Sequence, residues 1–162
     1  MSLADLIEET RQAMSDNPAN AVESFRATST LAPNTATLVK VQIGDHVFAV
    51  DEPAALGGTD SAASPVEYAL AALSSCLVIT YQFWSAMLDI PLDAVHVTVD
   101  GDLDLRGVFG LGDIRPGFTD VRVSVELHGP ASAQSYEHLR QLVNEHCPVV
   151  DLFRNPTPVT IT

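Results

Sequence analysis

The chain has 162 residues, enough for one globular domain that buries roughly 70% of the surface its unfolded form exposes, so it needs no disulfide or metal to fold. Hydrophobic residues make up 46%, which argues against disorder, and 21 acids face 8 bases for a formal net charge of −13, with Lys40 the sole lysine. No basic stripe is available to displace phosphate counterions or dock on an anionic bilayer, so neither a nucleic-acid nor a membrane partner is expected.

Met1-Ser2-Leu3-Ala4-Asp5 lacks the basic and apolar regions of a signal peptide, and a cytoplasmic location is expected. Two cysteines, Cys76 and Cys147, lie 71 positions apart. A permanent disulfide does not suit a reducing compartment. That leaves two readings: buried core thiols or a redox pair.

Residues 2–15 read as a short amphipathic helix with Leu3, Leu6, Ile7 and Met14 on one side, ended by Asp16-Asn17-Pro18. Residues 1–23 are therefore taken as a helical extension and 24–162 as the main domain. Ser24–Leu31 and Thr35–Ile43 are strand-like and joined at Pro33-Asn34, and Gly44-Asp45 turns into a third strand at His46–Val50. Residues 51–64 form a loop with Pro53, Gly57 and Gly58, long enough to be functional or interfacial.

Ser64-Pro65-Val66-Glu67 is a helix start, with Ser64 as cap, Pro65 in the first helical position and Glu67 closing a capping box. From Tyr68 to Leu88 there is no charge over 21 residues, a length that could cross a bilayer. Ser74, Ser75, Thr80 and Gln82 dilute the segment and its flanks are acidic, so a buried helix is expected instead. An apolar helix in so small a domain needs strands on one side and a further partner, such as a second subunit, on the other.

Val95, Val97 and Val99 alternate in a strand that continues to Leu105, and Gly107, Gly110, Gly112 and Gly117 punctuate the following connection. No glycine pattern opens a helix there, so no nucleotide cofactor is expected. Val121, Val123, Val125 and Leu127 mark another strand, Ser132–His146 an amphipathic helix stopped by Pro148, and Pro158–Thr162 a short last strand. Strands joined by turns, with helices between the blocks, indicate an α+β fold with mostly antiparallel sheets.

Cys76 lies about three turns into its helix, beyond the reach of the dipole, so only a tertiary cation could lower its pKa. Cys147 closes a helix whose negative end disfavours a thiolate, which suits a second thiol that attacks an oxidised Cys76. His146-Cys147 has no second pair at ligand spacing, so no metal is expected.

Pro65-Val66-Glu67-Tyr68-Ala69-Leu70-Ala71-Ala72-Leu73-Ser74-Ser75-Cys76 resembles the cysteine helix of the OsmC/Ohr family (osmotically inducible protein C, organic hydroperoxide resistance). His146-Cys147-Pro148-Val149 resembles its second-cysteine motif, Asn155-Pro156-x-Pro158-Val159 its tail, and Leu103–Phe118 the segment between the cysteines. The Asp51–Gly58 loop is similar to that of the broader OsmC-like subgroup. The resemblance spans about Phe25 to Thr162 and implies an intertwined homodimer, with antiparallel sheets around long buried central helices.

The same resemblance implies thiol-dependent reduction of organic hydroperoxides, with Cys76 as peroxidatic thiol, Cys147 as resolving thiol and a small or protein dithiol as reductant. The family's peroxidases carry a glutamate directly after the helix proline. Here Val66 holds that place and Glu67 follows, about 100° further round the helix, on nearly the opposite face from Cys76 and about 13 Å from it along the axis. Glu67 thus stands as either a capping acid or a catalytic one. The family's arginine comes from the first strand turn or the third strand, which here hold Pro33-Asn34 and His46. Arg26 is the first candidate to replace it, Arg115 the second, and Arg106 also remains. The alternative function is a non-peroxidase that keeps the fold and binds a small hydrophobic ligand at the dimer-interface cleft.

Overall fold

A computed structural model describes all residues, Met1–Thr162, as two compact units: Arg11–Ala69, and Met1–Thr10 together with Leu70–Thr162. Helix α1 (Leu3–Asp16) presents its apolar side without burying any residue. Asn17 then caps a single 3₁₀ turn at Pro18–Ala21, its side chain accepting from the Ala19 N–H at 3.2 Å.

The first unit holds an antiparallel meander of β1 (Ala27–Leu31), β2 (Val39–Ile43) and β3 (His46–Val50). Ala27 pairs with Ile43 and Leu31 with Val39, while Val39 also pairs with Val50 on its other side. β1 starts later than Ser24 because β2 ends at the Gly44 turn and leaves residues 24–26 nothing to pair with. β2 starts later than Thr35 because the threonines serve the preceding loop. The Thr35 hydroxyl donates to the Ala32 carbonyl at 2.8 Å, and the Thr37 hydroxyl donates to Asp51.

Asp51 organises the loop over residues 51–64. Its buried carboxylate accepts from Thr37, from both the N–H and the hydroxyl of Thr59 and of Ser61, and from the Glu52 N–H. These donors, led by Thr37 and Thr59, hold its pKa far below the ordinary carboxylate range. A short 3₁₀ turn, Ala54–Leu56, closes at Gly57 in the left-handed region (φ 87°).

Helix α2 (Pro65–Met87) runs from the first unit into the second. In the second unit, β4 (Ala94–Leu103) and β5 (Phe118–His128) form an antiparallel pair, with Val95 opposite Leu127, Val97 opposite Val125 and Val99 opposite Val123. The short α3 (Leu105–Val108) opens the glycine-rich connection. Gly101 is required by close approach, since a Cβ there would lie 2.7 Å from the Phe118 ring. Gly129 (φ 152°) is required for the same reason against the Tyr136 hydroxyl, which donates to the Pro91 carbonyl at 2.9 Å.

Helix α4 (Ala133–His146) is capped by Ser132, whose hydroxyl accepts from the Ser135 N–H at 3.1 Å. The core gathers Leu73, Leu77 and Tyr81 of α2, Leu139 and Val143 of α4, and Cys147, with Val95, Val97 and Val99 of β4 and Val121 and Val125 of β5 packed against them. Only this face of α2 is buried by the chain itself. Ile79 (52% exposed) and Phe83 (45%) look outward, so burial on all sides is not achieved within one chain. Length and composition alone would also let α2 cross a membrane.

Two elements differ from expectation at the C-terminal end. Pro148 ends α4 but opens α5 (Pro148–Arg154), because a proline in the first helical position lacks only an N–H that would have no helical partner. Pro158–Thr162 is not a strand. Pro156 and Pro158 lack the amides a ladder uses, and no strand of the chain pairs with this segment.

Candidate thiol site

Cys76 lies midway along α2, and Cys147 lies at the junction where α4 ends and α5 begins. Both are free thiols with their sulfurs 3.4 Å apart, the Cys147 S–H donating to the Cys76 sulfur. Cys147 is 2% exposed, while Cys76 is half-buried and so remains open to a small reagent.

Burial is the largest influence on Cys76 and pushes its thiol up. The nearby Cys147 acts in the same direction, since two sulfurs at this distance cannot both be anionic at low cost. Two neutral groups oppose them: the Val149 N–H in the first turn of α5, and the hydroxyl of Thr80, which also donates to the Cys76 carbonyl at 2.8 Å. No cation is among the principal influences. Beside the pair, Trp84 of α2 stacks on His146, with ring centroids 4.8 Å apart.

The other sequence-derived candidates take separate positions. Glu67 accepts both the N–H and the hydroxyl of Ser64 at 2.7 Å, which lowers its pKa. It thus anchors the start of α2. Arg26 is exposed just before β1. Arg106 forks onto Asp104, with a closest approach of 2.6 Å. The Arg115 side chain lies over Gly117 in its own loop.

Sequence reasoning missed Thr80, Val149 and Trp84. Thr80 had a legible signal, because it follows Cys76 by four residues and so shares its helix face. Val149 lies inside the second-cysteine motif, but its N–H faces Cys76 only because the chain after Pro148 coils into α5.

An α+β unit that sets two thiols side by side, one on a long apolar helix and one at a helix junction, narrows the class considerably. The sequence profile of the OsmC-like protein family matches residues 58–162, more than half of the chain, and the chain belongs to that family. No curated protein sequence matches it. Among solved structures, an OsmC-like protein from Mycoplasma pneumoniae superposes with a TM-score of 0.70 at 16% identity, covering 82% of this chain and 89% of the other. An organic hydroperoxide resistance protein OsmC from Legionella pneumophila gives 0.62 at 20%, covering 83% and 91%. An organic hydroperoxide resistance protein from Elizabethkingia anophelis, with thiocyanate bound, gives 0.64 at 20%, covering 83% and 90%. At these identities the likeness is one of fold.

Proposed function

We propose that this protein reduces organic hydroperoxides with Cys76 as the attacking thiol and Cys147 as the resolving one. The observation that carries the reading is the 3.4 Å separation of the two sulfurs. The names of the Legionella and Elizabethkingia proteins support the substrate class. The Cys76 thiolate attacks the terminal peroxide oxygen, the O–O bond breaks, and the leaving alkoxide takes a proton to give the alcohol. Cys76 is left as a sulfenic acid. The Cys147 sulfur then attacks the Cys76 sulfur, the S–O bond breaks, and water leaves as a disulfide forms. An external dithiol returns two electrons and restores both thiols.

The raised Cys76 pKa means that this reading needs a cation beyond the residues packed on the thiol. We assign that role to Arg26, contributed within a homodimer whose second copy covers the outward apolar face of α2 around Ile79 and Phe83. We assign Glu67 to helix capping. The OsmC-like domain is taken as residues 24–162, with 1–23 as an extension, and the protein as cytoplasmic.

A second reading, binding of a small hydrophobic ligand without peroxidase chemistry, is favoured by the uncharged surroundings of Cys76. Turnover of cumene hydroperoxide with dithiothreitol separates the two. The wild type consumes peroxide and Cys76→Ser does not; equal rates at the uncatalysed background for both proteins, folded, select the ligand-binding reading.

A further inference from the structure

A cavity of about 400 Å³ lies among α2, β5, α4 and α5, towards the low end of the roughly 300–1,000 Å³ common for small-molecule sites. Leu73 and Leu77 of α2, Val121 and Val123 of β5, and Phe153 of α5 give it an apolar wall. Neither cysteine lines it.

Its polar edge is unusual for this chain. Arg140 and Arg154, two of only eight basic residues against 21 acids, both line the cavity. Neither forms an ion pair, whereas Arg106 and Arg122 are both paired with aspartates. Arg140 donates instead to the Val125 carbonyl at 3.1 Å, and Arg154 to the Asn144 carbonyl at 3.3 Å. Even with the Tyr81 hydroxyl as a second partner of Arg140, most of each guanidinium's five N–H donors are left unused. The buried Tyr81 adds a hydroxyl beside Arg140, whose charge partly offsets the upward push of burial on the tyrosine pKa. An apolar wall next to two guanidinium groups without acid partners matches a molecule with a hydrocarbon body and one anionic head.

We propose that this cavity binds an amphipathic carboxylate, its hydrocarbon part against Leu73, Leu77, Val121 and Phe153 and its carboxylate on Arg140 and Arg154. Guanidinium suits this head because its fork donates two parallel hydrogen bonds to one carboxylate. The site is separate from the thiol pair and independent of the peroxidase reading.

Calorimetric titration of the full-length reduced protein with decanoate, decanol and acetate tests the assignment. Decanoate binds about tenfold or more tighter than decanol, a difference of about 1.4 kcal/mol. Acetate, lacking the chain, binds far more weakly than decanoate. Arg154→Gln, at an exposed position that leaves the fold intact, reduces decanoate affinity to near that of decanol, and Arg140→Gln does the same where its melting curve shows it folded. Cys76→Ser binds decanoate as the wild type does, so loss of peroxidase activity and loss of this site are read separately. The proposal is overturned if decanoate binds no better than decanol, if no heat is seen because a second copy fills the cavity, if Arg154→Gln binds as the wild type does, or if Cys76→Ser abolishes binding.

Discussion

The sulfur of Cys147 rests 3.4 Å from that of Cys76, held there by the junction of two helices. α4 delivers Cys147 at its last turn, and α5 starts on the next residue and turns the Val149 N–H towards Cys76. A disulfide bond is about 2.05 Å long, so closing the pair requires a movement of a little over 1 Å. Cys76 is the half-buried member of the pair and Cys147 the buried one.

Oxidation by one equivalent of diamide therefore gives an intramolecular disulfide. The bond closes a loop across 71 positions, which the chain-entropy model values at about 4 kcal/mol before any strain. Guanidinium unfolding of the oxidised and reduced forms measures the difference. A higher midpoint for the oxidised form is expected. Disulfide-linked pairs of chains on a non-reducing gel, in place of a faster-migrating monomer, would count against the geometry.

Cys76 alkylation should depend on pH in a way that separates the influences on it. Burial and Cys147 raise its pKa, so in Cys147→Ala, where the neighbouring sulfur is gone, the midpoint of iodoacetamide reactivity moves to lower pH. The thiolate is the reactive form, so reaction near neutral pH becomes faster. If Arg26 stabilises the thiolate, Arg26→Ala moves the midpoint the other way and slows peroxide turnover while the fold is kept. An unchanged midpoint in Arg26→Ala removes Arg26 from the site.

Asp51 gives a prediction about acid stability. Its folded pKa is depressed, so its contribution is present above the unfolded carboxylate pKa of about 3.9 and is lost as pH falls towards the folded value. Asp51→Asn removes the charge that accepts from Thr37, Thr59 and Ser61. The variant should melt at a lower temperature than the wild type at pH 7, with the gap narrowing below about pH 4. A gap independent of pH between 7 and 3 would mean that charge is not what Asp51 contributes.

Much of this architecture was legible in the sequence. The valine alternation of β4 and β5, the uncharged run of α2 and the Ser64–Glu67 start of that helix each follow from one local rule, and each is where the residues indicate. The cysteine motifs identified both thiols, but only the fold brings them together. What was illegible depended on partners distant in sequence. Asp51 reads as a loop acid until Thr37 and Ser61 are seen to donate to it, and Pro148 reads as a terminator until the chain after it is found coiled into α5. Arg140 and Arg154 carry no local signal, because nothing in the sequence around either shows that they share one cavity.

The outward face of α2 carries the last prediction. Ile79 and Phe83 are one helical turn apart and about half exposed, in the middle of a helix without a charged residue after Glu67. Left in water, such a face loses the roughly 25 cal/mol per Å² that covering it would return. A second copy of the chain, apposed by the same face, would cover both outward faces with one symmetric contact. Sedimentation at micromolar concentration should therefore give a dimer, and Ile79→Asp with Phe83→Glu should give a monomer or an aggregate. Leu139→Ala, which removes a fully buried side chain from the opposite side of α2, is the control. It should cost about 2–5 kcal/mol of unfolding free energy, yet it leaves the outward face intact, so whatever remains folded stays dimeric. A wild-type protein that sediments as a stable folded monomer would refute the shared interface and, with it, the supply of Arg26 to Cys76 from a second copy.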